Sequence, residues 1–101
     1  MEQGVLKNLV NEIREDFQIP PYFPDASLER FAKEGEAYLG ALNVECDIET
    51  DLTYRSLLKN YTYYALHHRI DEFEHNYSSM ILSWQMNTEI PVQEEDGVSD
   101  E

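Results

Sequence analysis

From Asp51 to Gln85 the chain reads DLTYRSLLKNYTYYALHHRIDEFEHNYSSMILSWQ, and more than half of its aromatic side chains lie there: Tyr54, Tyr61, Tyr63, Tyr64, Phe73, Tyr77 and Trp84. Leu52, Arg55, Leu58, Tyr61, Ala65 and His68 recur at helical spacing, with Leu57, Tyr64, Phe73 and Tyr77 as a second apolar flank. The pattern predicts a long third helix beginning at Asp51, apolar over an arc wide enough to touch more than one neighbour. At His75-Asn76 the pattern changes, since asparagine can end one helix or cap the next. Met80, Ile81, Trp84 and the weaker Leu82 then predict a short fourth helix to about Met86.

Outward toward the N-terminus, Leu6, Leu9, Val10, Ile13 and Phe17 define a first amphipathic helix, with Lys7, Glu12, Arg14 and Glu15 on its other faces. Three prolines in Ile19-Pro20-Pro21-Tyr22-Phe23-Pro24 stop it, because proline removes a donor and pushes the preceding residue to extended backbone. Ile19, Tyr22 and Phe23 are expected to pack rather than dangle. Asp25 or Ser27 can cap a second helix, along which Leu28, Phe31, Ala32, Gly35, Tyr38, Leu39 and Leu42 keep a 3–4 spacing. Gly35 falls on that apolar stripe; it marks either the close approach of another helix or tolerated strain. Residues 43–50, NVECDIET, are an acidic connector. The fold class expected is all-α, a bundle of three to four helices over residues 1–87.

Residues 88–101 differ in kind. They hold Ile90-Pro91-Val92 as their one short apolar cluster among a run of acids, a composition that does not fold alone. The chain has 101 residues, which is one domain. A chain this size buries only about 60–65% of its unfolded surface, so burial against other subunits is a plausible contribution to its stability. Its single cysteine, Cys46, allows no internal disulfide, which fits a reducing cytoplasm, and its acidic neighbours disfavour a reactive thiolate. No apolar run spans a bilayer, and MEQGVLKN lacks the basic-then-apolar order of a secretory signal.

The formal charge is −14. Residues 51–88 are nearly balanced, with four acids against three bases, whereas 89–101 carry six acids and no base. Tight phosphate binding is disfavoured, because little here replaces DNA counterions. Two readings of the acidity stay open: plain solubility, or a surface that faces nucleic acid without adhering to it.

The densest polar cluster is HHRIDEFEH, residues 67–75. On a continuous helix His67 faces Asp71, His68 faces Glu72, and Asp71 faces His75. His67, Asp71 and His75 could line a stripe of metal ligands, but the spacing is not that of His-Glu-x-x-His and no fourth ligand is evident, so the cluster is read as intrahelical charge pairs. No metal and no cofactor is expected. The serines follow no nucleophile-elbow pattern and no catalytic residue is nominated, so the chain is not read as an enzyme.

The aromatic residues have two uses available. They can cover a thin core, or they can populate a subunit interface, where aromatics bring large contact area at low entropy cost. Tyr63 and Tyr64 point about 100° apart on a helix and cannot both face one core. The interface candidates are Tyr61, Tyr63, Tyr64, Phe73, Tyr77 and Trp84.

With these residues in view, the chain resembles the small head-tail connector (adaptor) proteins of siphophages and prophages of Gram-positive bacteria. The resembling segments are LERFAKEGEAYLGAL, residues 28–42, and YRSLLKNYTYYA followed by DEFEHNYSSMILSWQ, residues 54–65 and 71–85. Tyr63 and Asn43 depart from the family pattern, standing where arginine and glycine are common. The resemblance implies a helical protomer that forms a homo-oligomeric ring, a dodecamer in the virion, at the neck beneath the portal protein. Such a ring extends the DNA channel and docks the next head-completion (stopper) or tail-completion protein. DNA passes without specific binding, and assembly takes place in the host cytoplasm. It also implies that the C-terminal region reaches the portal, giving Ile90, Pro91 and Val92 an anchoring role. A different class of function, an acidic inhibitor of phage origin that mimics DNA, is the competing expectation.

Overall fold

Among the described residues four helices follow one another: α1 (Gln3–Phe17), α2 (Asp25–Leu42), α3 (Leu52–Leu66) and α4 (Ile70–Glu89). The computed structural model describes residues 1–43 and 46–89, and among these there is no strand. The segment holding Ile90, Pro91 and Val92 lies outside the described residues. No helix among the described residues is long and apolar enough to cross a membrane.

α3 is the central element. It packs most broadly on α2, then on α4, and also touches α1. Leu6, Leu9, Val10 and Ile13 turn the apolar stripe of α1 inward, Leu28, Ala32 and Leu39 do so from α2, and Leu57 and Leu58 meet them from α3. The 3–4 spacing that predicted α1 and α2 is the spacing that fills this core. Gly35 is buried on the α2 face toward α3. A methyl group there would stand 2.6 Å from the Tyr61 ring and 2.7 Å from Leu58 Cδ1. Close helix approach, not tolerated strain, is the reason for this glycine.

Each connection has its own chemistry. After α1, Gln18 takes a left-handed conformation (φ 51°), and the Ile19 amide returns to the Arg14 carbonyl at 3.1 Å. Arg14 then holds the proline loop. Its guanidinium bonds Asp25 at 2.8 Å, and it donates to the Pro20 carbonyl at 3.4 Å and to the Phe23 carbonyl. Asp25 therefore lies in the first turn of α2 as an ion-pair partner, and Pro24, not Asp25 or Ser27, occupies the capping position. Ile19 and Phe23 pack as expected, but Tyr22 is 79% exposed. At the far end of α2, Asn43 adopts extended backbone (φ −153°), so no glycine is needed there. Its side-chain amide donates to the Trp84 carbonyl at 3.5 Å, while the Gln85 side chain donates to the Leu42 carbonyl at 2.9 Å.

The helix break between α3 and α4 differs from the sequence expectation. It falls at His67–Arg69, one and a half to two turns before His75-Asn76, so the third helix is not long and α4, with 20 residues, is the longest. His68 is left-handed (φ 58°). The Arg69 amide bonds the Tyr64 carbonyl at 2.9 Å and the His68 amide bonds the Ala65 carbonyl at 3.0 Å. This is the 6→1 and 5→2 pattern that normally closes on glycine. The break separates His67 and His68 from the α4 acids, so the expected His67–Asp71 and His68–Glu72 helical pairs do not form. Among the described residues no cluster of three or more metal-ligating side chains exists.

These backbones set the outcome of three substitutions. Gly35→Ala should lower stability by about 1 kcal/mol, because crowding the Tyr61 ring outweighs the gain in helix propensity. Gly40→Ala, where nothing stands within 4 Å, should raise it by up to about 1 kcal/mol. His68→Gly should likewise stabilise by roughly 1 kcal/mol by relieving the left-handed penalty. Urea unfolding of the three variants beside the parent measures all of this.

Candidate functional site

The aromatic side chains form a relay that crosses all four helices. Phe17 of α1 stacks on Tyr63 of α3 with centroids 4.4 Å apart, and Tyr63 meets Tyr64 edge-on at 6.1 Å. Tyr64 contacts both Phe73 and Tyr77 of α4 at 5.9 Å, and those two stack on each other at 5.0 Å. Phe73 also meets Tyr61, which stacks on Tyr38 of α2. Such pairs are worth about 0.5–1.5 kcal/mol each beyond their buried area. Tyr63 and Tyr64 do diverge, as their spacing requires, one toward α1 and the other toward α4.

Of the six interface candidates, Tyr61, Phe73 and Trp84 are buried within the protomer. Their rings serve the protomer's own core and are not presented to a neighbour. Tyr63, Tyr64 and Tyr77 are half-buried, each with ring partners in its own chain. The Tyr77 hydroxyl donates to Asn60 at 2.9 Å. The relay is chiefly glue between helices.

Trp84 is held by a second device. Asp51, at the start of α3, accepts the Tyr54 amide on one carboxylate oxygen at 3.0 Å and the Trp84 indole N–H on the other, also at 3.0 Å. Tyr54 stacks on the same indole at 5.4 Å. Burial works against ionisation of Asp51. The Tyr54 amide, the Cys46 thiol, the Trp84 indole and the Thr53 amide nonetheless bond it and hold its carboxyl below the ordinary value. Burial also pushes the Tyr54 phenol up to about 12, with the charge of Glu36 adding to the effect.

Among the described residues three large apolar side chains besides Tyr22 stand in the open: Leu52 at 76%, Leu82 at 57% and Met86 at 51% exposure. Leu52 was expected on the buried stripe of α3, but as the first helical residue it falls on the outer side. It edges an open groove of about 540 Å³ between α1 and α3, together with Phe17, Ser56 and Asn60. Charge in this groove is matched. Arg55 grips Glu12 through two bonds of 3.0 and 2.7 Å, and Lys59 bonds Asp16 at 2.6 Å and Glu12 at 3.4 Å. The Arg55 hydrogen bond holds the Glu12 carboxyl below its ordinary value, against the opposing effect of burial.

Leu82 and Met86 lie one turn apart on the outer face of α4, beside the exposed Ser78, Ser79 and Ser83. From His75 to Thr88 the chain contains no Asp, Glu, Lys or Arg. In a chain of charge −14 that uncharged run is legible in the sequence alone. Comparisons with protein-family models, curated proteins and solved structures found no match to this chain.

Asp51→Ala should destabilise the fold by about 2 kcal/mol, combining a lost helix cap with a lost buried hydrogen bond. Asp51→Asn, which keeps one acceptor oxygen, should cost less. Because the folded carboxyl titrates below the unfolded one, its stabilisation is complete above about pH 4 and is lost as pH falls through the folded value. Thermal unfolding of the parent should therefore weaken in acid, and Asp51→Asn should flatten that dependence.

Proposed function

We propose that this chain is the protomer of a head-tail connector ring, a structural component of a phage neck that sits under the portal, continues the DNA channel and offers a platform to the next neck protein. The observation that carries this reading is the set of exposed apolar side chains, Leu52, Leu82 and Met86, on an otherwise strongly acidic helical protomer. Exposed apolar side chains mark contacts, and the charged groups around Leu52 are paired with one another. The segments 28–42 and 54–85, which carry the resemblance to connector proteins, form α2, α3 and most of α4, the elements that build the bundle.

The acidity suits a channel wall. Carboxylates along a lumen repel phosphates, the converse of binding by counterion release, so DNA is guided without being held. The DNA-mimic alternative needs free carboxylates on a stable surface. Several of the acids instead face bases, as in Glu12 with Arg55, Asp16 with Lys59, and Asp25 with Arg14.

Solution mass by light scattering, for the chain alone and mixed with its cognate portal ring, tests the proposal. A stoichiometric complex is expected, weakened when residues 90–101 are deleted so that α4 stays whole. Failure to bind the portal at micromolar concentration overturns the reading and favours the DNA-mimic alternative.

A further inference from the structure

We infer that the bent joint between α3 and α4 is one of two states of this segment. In the other, residues 52–89 run as a single unbroken helix, and the α4 freed in this way seats on α3 of a second copy, which returns its own α4 in exchange. The occupant of the site is the helix that already fills it. The exchange is independent of any ring, because it uses only contacts that the protomer makes with itself.

The other two joints carry their own stop signals. Three prolines separate α1 from α2, and Asp51 caps α3 after the acidic connector. The joint after α3 carries none. From Tyr64 to Ile70 the chain reads YALHHRI, with no glycine, proline, serine, threonine, aspartate or asparagine to end one helix or open the next. His68 nonetheless sits at φ 58°, an uncommon and strained place for a side chain. Packing, not local sequence, makes this bend.

The packing lies on the far side of the joint. Phe73, Ile81 and Trp84 are buried, the Trp84 indole bonds Asp51, and the Gln85 side chain bonds the Leu42 carbonyl. Both of those bonds join a residue before the bend to one after it. They are remade in full when α4 comes from another copy. A lone chain does not straighten, because Phe73, Ile81 and Trp84 would then lie in water. A second copy is the condition for it.

Straightening also brings gains of its own. It returns His68 to the right-handed region. It sets His67 beside Asp71 and His68 beside Glu72 at i,i+4, two pairs that the bend keeps apart. Arg69 loses nothing, since its 2.9 Å contact with Glu72 is already an i,i+3 pair. The segment that crosses between the copies holds Arg69 and two histidines with Asp71 and Glu72, so its charge is mixed and not of one sign. A hinge this short and held under strain is the setting in which identical elements change places between copies.

The test is refolding of the full chain from urea at about millimolar concentration, in high salt to screen the charge of −14 on each copy. Half of the copies carry isotope-labelled tryptophan. Sedimentation should show a dimer, and nuclear Overhauser contacts in it should link the labelled Trp84 of one copy to Tyr54 of an unlabelled one. His68→Gly accepts the bend without strain and disfavours a helix interior, so it should lower the dimerisation constant at least about tenfold. His68→Ala favours the straight helix and should raise it roughly fivefold. The position is exposed, so both variants keep the core, and circular dichroism verifies that they are folded. A parent chain that stays monomeric overturns the exchange, and so does a His68→Gly chain that dimerises like the parent. A dimer whose Tyr54–Trp84 contact lies within each chain also overturns it, while leaving the ring reading standing.

Discussion

The Asp51 carboxylate sits where two requirements of the bundle meet, and its two oxygens answer them separately. One closes the first turn of α3, whose amides have no carbonyl to accept them; the other receives the indole of α4. α4 packs chiefly on α3, so it depends on anchors of this kind more than α1 or α2 does. With Trp84 fixed over Tyr54, the nearby bonds from Asn43 and Gln85 tie the end of α2 to the same turn of α4. One acid thus sets the register between the start of α3 and the helix that carries Leu82 and Met86.

The aromatic relay divides the labour differently. Aliphatic side chains fill the meeting of α1, α2 and α3, where stripes of leucine interlock. Rings dominate where α4 meets α3, because a long helix with few leucines on its inner face needs area from few positions. Phe73 and Trp84 supply it near the two ends, with Tyr77 between. This arrangement draws the aromatics of α3 and α4 inward, and on those two helices Leu52, Leu82 and Met86 are the large apolar side chains left exposed among the described residues.

Much of this was legible in the sequence, for physical reasons that can be named. The leucine spacings of α1 and α2 and the proline stop between them are strong local signals, and they placed both helices. Gly35 lay on an apolar stripe, and the Tyr61 ring against it accounts for its presence. The division of Tyr63 from Tyr64 followed from helical geometry alone. What failed was the joint after Leu66. A Schellman-type ending is usually announced by glycine, and here a histidine takes the left-handed position, so the periodicity read straight through it. That single misplacement created the apparent His67–Asp71–His75 stripe. The exposure of Leu52 was illegible for a related reason, since whether a first-turn leucine faces in or out depends on how α1 crosses α3.

Trp84 is the chain's one tryptophan, and its ring touches a phenol on one face while its N–H rests on a carboxylate, with both partners at the head of α3. Indole emission is sensitive to both kinds of neighbour. The protein therefore carries a built-in optical reporter of a single event, the seating of its last helix. Fluorescence excited selectively at the indole follows that seating in solution during folding, with no label attached.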